Sequence, residues 1–286
     1  MREISVAATQ MACTWDIEAN VQRAESLVDQ AAAQGAQLVL LQELFEAPYF
    51  CKDQKAEYFS LAKPAANHPL IQRFAKLAKK LQVVLPLSFF ERDEQAYFNS
   101  LAMIDADGEV LGIYRKSHIP DGPGYQEKFF FSPGDTGFKV WQTRYGKMGV
   151  GICWDQWFPE AARCMALMGA EVLFYPTAIG SEPEDDIDSA APWQRVMCGH
   201  AVANHMPVIA SNRIGHEAGE ACHLDFYGSS FIADEFGAKV QEANREDESV
   251  LVHRFDLDAI QNSRANWGFF RDRRPELYAS MKRLGG

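Results

Sequence analysis

The chain has 286 residues, 47% of them hydrophobic, and a formal net charge of −11. That material supplies a large core, and no apolar run approaches the roughly 20 residues that a membrane helix needs. The acidic balance argues against nucleic acid, which needs a basic face, and mildly favours a cationic small molecule.

Strand character begins at once, over residues 4–10, with no signal segment ahead of it, so a cytoplasmic chain is expected. Val21, Ala24, Val28 and Ala31 then recur at three- and four-residue steps, predicting a helix that stops at Gly35. The apolar run 38–41 reads as a strand and leads to Glu43. Ile71, Phe74, Leu77, Ala78 and Leu81 align on one face of a second helix near 70–81. Strand-like runs follow at 83–90, 100–104 and 110–114. The last two are joined by the turn Asp105-Ala106-Asp107-Gly108-Glu109, and the third leads to Lys116. The run 148–152 ends at Cys153, and Pro159 fits the first turn of a helix that halts at Gly169. A strand at 172–175, a helix at about 192–204 and strands at 208–211, 230–233 and 250–255 complete the pattern. Helix–strand alternation mixed with hairpins predicts an α/β fold with helices packed on mixed sheet. No linker or repeat divides residues 1–286, so one domain is expected.

Three residues carry the candidate chemistry. Cys153 stands at a strand-to-helix corner, where a thiol is expected to be half exposed and near helix-terminal N–H groups that favour the thiolate. Glu43 and Lys116 also sit just past strand ends, where α/β sheets gather reacting groups. Each has a plainer reading: a buried small hydrophobe, a helix N-terminal charge and a solvated face. Strand ends and chain order do not bring the three together.

In their surroundings, however, they resemble the nitrilase superfamily of carbon–nitrogen hydrolases. The motifs are Leu41-Gln42-Glu43-Leu44-Phe45, Tyr114-Arg115-Lys116-Ser117-His118 and Gly151-Ile152-Cys153-Trp154-Asp155. Four further stretches are similar to the N-carbamoylputrescine amidohydrolase branch: His118 to Lys128, Trp154 to Glu160, Tyr175 to Pro183 and Trp267 to Pro275. The resemblance implies a four-layer α-β-β-α sandwich and a Glu43–Lys116–Cys153 triad. It adds Glu127 as a fourth catalytic-site member. It also implies hydrolysis of N-carbamoylputrescine to putrescine, carbon dioxide and ammonia. In such enzymes the C-terminal segment, here about 265–286, helps to shape a homo-oligomer.

A urea joined by a four-carbon chain to an ammonium needs a carbonyl clamp, an apolar slot and an anionic end. Tyr49, Trp154 and Phe130 are candidates for the slot. Asp121, Asp155, Glu182 and the acids of residues 184–188 (Glu184, Asp185, Asp186 and Asp188) are candidates for the anion, with Glu182 preferred. The same triad also suits 3-ureidopropionate, an aliphatic amide or a nitrile, and a non-catalytic scaffold is the remaining alternative. Cys198, His200, His205, His216, Cys222 and His223 match no zinc-ligand spacing. Gly149-Val150-Gly151 lacks the third glycine of a phosphate loop. No metal, cofactor, nucleic-acid partner or membrane is expected, and the six cysteines read as free thiols.

Overall fold

Period-two burial along the strands sets the architecture. In β1 (Glu3–Gln10), Ile4, Val6 and Ala8 face one apolar cluster while Ala7 faces another. The computed structural model describes residues 2–183 and 187–285.

After β1 come α1 (Ile17–Ala33), β2 (Leu38–Leu40) and α2 (Pro69–Leu81). Next are β3 (Leu85–Asp93), β4 (Ala96–Ile104) and β5 (Val110–Arg115), an antiparallel meander. Strands β14 (Ser249–Asp256), β1 and β2 form a second group, which the Leu38–Val84 bridge joins to the meander. The other sheet holds β6 (Val140–Thr143), β7 (Gly146–Val150), β8 (Val172–Pro176), β9 (Val208–Ser211), β12 (Phe231–Ala233) and β13 (Lys239–Glu242). Strands β7, β8 and β9 run parallel at its centre. Between β9 and β12 the chain forms a separate hairpin, β10 (Ile214–Ala218) and β11 (His223–Tyr227).

Leu38, Leu40, Leu101 and Met103 of the first sheet meet Met148, Val150, Val172, Phe174 and Ile209 of the second in one fully buried cluster. Helices α1 and α2 cover the first sheet's outer face. Helices α3 (Pro159–Leu167) and α4 (Ala190–Asn204) cover the second's. The result is the four-layer α-β-β-α sandwich. Helix α5 (Leu257–Trp267) follows β14 and ends at Gly268, which is left-handed at φ 74°. Among the described residues no helix is long and apolar enough to cross a membrane.

Candidate active site

Glu43, Lys116, Glu127 and Cys153 converge in the interior, and Cys153 is only 5% exposed. The expected half-exposed thiol is therefore corrected: at the start of the 3-10 turn from Cys153 to Trp157, Cys153 packs into the apolar cluster between the two sheets. Lys116 directly follows β5, and its N–H donates to Asn99 O at 2.8 Å. Gly134 N donates to Lys116 O, an approach so close that a Cβ on Gly134 would lie 2.0 Å from Arg115 O.

The Lys116 ammonium donates to Glu43 Oε1 at 2.7 Å and to both Glu127 oxygens at 2.8 and 2.9 Å. Asn99 Nδ2 also donates to Glu43 Oε1 at 2.7 Å, and the Tyr49 hydroxyl donates to Glu127 Oε1 at 2.7 Å. Glu43 Oε2 is buried and receives no donor among the described residues. That oxygen is the site's spare proton acceptor. Cys153 Sγ lies 3.9 Å from Ala178 O. Its backbone is left-handed, at φ 42°.

Burial and then the charge on Glu43 push the Cys153 thiol well above its ordinary range, outweighing Lys116. The expected helix-terminal stabilisation of a thiolate does not prevail, and the resting sulfur is a neutral thiol that needs a base. Burial opposes the charge on Lys116, but Glu127 and Glu43 outweigh it and hold the ammonium well above its ordinary range. Burial raises the Glu127 carboxyl to about 7 against the pull of Lys116, poising it near neutrality.

The loop carrying Glu43 is clamped from behind. Arg213, fully buried, donates from Nη2 to Glu43 O at 2.8 Å and Leu44 O at 3.2 Å. It pairs through Nη1 with Glu217 at 2.9 Å. Glu217 Oε2 in turn accepts from Tyr49 N at 2.6 Å and Lys52 Nζ at 3.4 Å. The sequence reading missed Asn99, Arg213 and Glu217. A polar Asn at the head of a strand-like run was the available signal for the first.

The substrate-side candidates divide. Tyr49 sits inside the charge cluster as a Glu127 partner. Phe130 is buried in an aromatic group with Phe50 and Phe90 and is no free slot wall. Asp155 also has another role. Its oxygens accept from Ile152 N at 2.9 Å, Tyr114 Oη at 2.6 Å and His118 N at 3.0 Å, and His118 Nδ1 lies 2.7 Å away. It ties the Cys153 corner to the Lys116 loop and has no lone pair to spare for an ammonium. Trp154 is partly exposed and packs its ring edge-on to Trp157 at 6.3 Å.

Glu182 lines a cavity of about 660 Å³ with Asp188, Asp225, Tyr227, Arg245 and Glu246. The loop after β8 connects this cavity to the nucleophile: Ala178 O lies 3.9 Å from Cys153 Sγ, and Ser181 and Glu182, three and four residues further on, line the cavity. Asp121 lines a neighbouring cavity of about 490 Å³ with Gln126 and Pro183. Glu184, Asp185 and Asp186 lie outside the described residues. The sequence reading also missed Tyr227, which lines the Glu182 cavity, and Tyr125, whose hydroxyl donates to Ser181 O at 3.2 Å and accepts from Gly180 N at 2.9 Å.

Residues 5–265 match the family model described as carbon–nitrogen hydrolase. N-carbamoylputrescine amidase of Arabidopsis thaliana is 60% identical over 290 residues, spanning 100% of this chain and 97% of that protein. Citrullinase of Francisella tularensis subsp. tularensis is 55% identical over 284 residues, spanning 99% of each. The crystal structure of a carbon–nitrogen hydrolase from Helicobacter pylori G27 superposes with a TM-score of 0.92 at 39% identity, covering 99% of both chains.

Proposed function

The chain belongs to the carbon–nitrogen hydrolase family, and on that premise we propose that it hydrolyses N-carbamoylputrescine through a covalent Cys153 intermediate. The observation that carries the reading is Glu43: one oxygen is held by Lys116 and Asn99, and the other is buried without a donor among the described residues. The Cys153 S–H gives its proton to that free oxygen while the sulfur attacks the carbamoyl carbon. The Lys116 ammonium and the backbone N–H that follows Cys153 receive the oxyanion, a contribution worth about 10²–10³ in rate per donor. Glu43 then passes the proton to the departing nitrogen. Water, deprotonated by the same carboxylate, cleaves the thiocarbamate, and the carbamic acid so released yields carbon dioxide and the second nitrogen product. Glu127 and Tyr49 hold Lys116 in place.

The distal ammonium of the substrate fits the Glu182 cavity, whose wall carries four carboxylates (Glu182, Asp188, Asp225 and Glu246) against the one guanidinium of Arg245. Arg245 and the citrullinase relative favour a second reading, a ureido amino acid whose carboxylate would need such a cation. Exposed Trp267, Leu277 and Met281 support the segment 265–286 as a contact between subunits of a cytoplasmic homo-oligomer built from a single domain.

Ammonia release from N-carbamoylputrescine, citrulline, 3-ureidopropionate and a neutral N-alkylurea, with Cys153→Ala as control, tests the assignment. The expected result is turnover of the cationic substrate, abolished in the variant. Preference for citrulline would select the second reading. Preference for the neutral or anionic urea would remove the anionic cavity from the recognition of substrate.

A further inference from the structure

The β10–β11 hairpin brings together side chains that their spacing in the sequence keeps apart. His216 faces Asp225 directly across the ladder, and His223 stands opposite Ala218, one step along the same face. His216 Nδ1 lies 2.7 Å from Asp225 Oδ1, and His223 Nε2 lies 3.6 Å from Asp225 Oδ2. The three donor atoms all fall within 4.8 Å of one another. Two ligands on a tetrahedral zinc ion, each about 2.0 Å from it, stand about 3.3 Å apart. Donor atoms within 4.8 Å of one another reach that spacing by small rotations of exposed side chains. All three side chains are more than half exposed, so an ion can reach them without unfolding.

The cluster is also anchored. Ser181 N donates to Asp225 O at 2.9 Å, and Asp225 N donates to Ser181 Oγ at 2.9 Å. The loop at Gly180, bridged to Phe226, comes so close that a Cβ on Gly180 would lie 2.6 Å from Asp225 O. The backbone of the central ligand is thus fixed on both sides before any ion arrives.

We propose that His216, His223 and Asp225 form a site for a zinc-class divalent transition-metal ion at the rim of the Glu182 cavity. Two imidazoles and one carboxylate select zinc, cobalt, nickel or copper over magnesium and calcium, which take oxygen ligands. Three protein ligands leave a fourth position open to solvent. Because His216 and Asp225 line the Glu182 cavity, a bound ion adds two positive charges to an otherwise acidic wall. The site stands apart from the triad, and binding there is measurable whatever the substrate proves to be.

The test is a cobalt(II) titration of untagged, chelator-stripped full-length protein. It is read by the visible absorption of the four-coordinate ion and by zinc displacement in calorimetry. The measurement is made in a Cys222→Ser background so that the neighbouring thiol contributes nothing. The expected result is one ion per chain, with affinity reduced at least about tenfold by His223→Gln and by Asp225→Asn while thermal melts stay unchanged. Absence of binding in the Cys222→Ser protein, or binding that survives both ligand substitutions, would overturn the site.

Discussion

Two buried charge networks lie on opposite sides of the loop between Glu43 and Tyr49, and they share both residues. On one side the Glu43 carboxylate and the Tyr49 hydroxyl join Lys116 and Glu127. On the other, the Glu43 carbonyl and the Tyr49 N–H join Arg213, Glu217 and Lys52. The first has one ammonium between two carboxylates and leaves Glu43 Oε2 without a donor. The second has two cations on one carboxylate. Backbone carbonyls of Glu43, Leu44, Ala47 and Tyr49 accept further hydrogen bonds from the two cations, while Arg213 Nε has no partner among the described residues. Taken together the formal charges cancel, which is how six ionisable groups can share one interior. Chemistry belongs to the side with an acceptor to spare, and placement belongs to the side whose carboxylate has every oxygen engaged.

Substitutions can pull these roles apart. Glu43→Gln removes the spare acceptor while leaving the backbone clamp intact. A loss in kcat of about 10²–10⁴-fold is expected, with Lys116 still paired to Glu127 in the folded protein. Near-normal turnover in that variant would dismiss Glu43 as the base. Arg213→Met strikes the other side: taking one cation from Glu217 and stranding the carbonyl oxygens of Glu43, Leu44 and Ala47 should cost about 3–5 kcal/mol in urea unfolding. A cost below about 1 kcal/mol would show that the clamp is not what holds the loop.

Glu127→Gln gives the smallest effect and reads out with pH. Burial raises the folded carboxyl to about 7, above its ordinary 4.5. Its contribution to stability is therefore complete below pH 4.5 and is lost as pH rises through 7. Glutamine cannot ionise, so the stability advantage of the unsubstituted protein over the variant should shrink between pH 5 and pH 8. A gap that stays flat in urea titrations across that range would mean that the carboxyl is ionised throughout.

Local signals in the sequence reach the strand ends and helix starts. Pro159 opens α3, Gly108 closes the β4–β5 turn, and the apolar steps from Val21 to Ala31 lie within α1. They fall short where a strand leaves the core. Strand β3 continues through Glu91, Arg92 and Asp93, paired with Phe98, Tyr97 and Ala96 of β4, and Arg115 pairs with Glu91 and Asp93. No apolar alternation marks that extension. Strands β6 and β13 and the β10–β11 hairpin were unread for the same reason: they are short and carry many polar residues. At the site, the motifs locate the reacting side chains, but Arg213 and Glu217 meet Glu43 and Tyr49 only through contacts about 170 residues apart in the chain. Asp155 illustrates the converse error. An acid beside the nucleophile suggests a ligand for substrate, and tertiary hydrogen bonds spend both of its oxygens elsewhere.

The left-handed backbone at Cys153 places stability and activity in direct opposition at one residue. A side chain in that conformation costs on the order of 1 kcal/mol that glycine escapes. Chemistry demands a sulfur where the backbone favours bare hydrogen. A search for heat resistance scored only on folding therefore has an incentive to replace the nucleophile with glycine. Residues such as Arg213 and Asp155, whose side chains hold the fold together, carry no such conflict. Improving this protein without disabling it means fixing position 153 and seeking stability elsewhere.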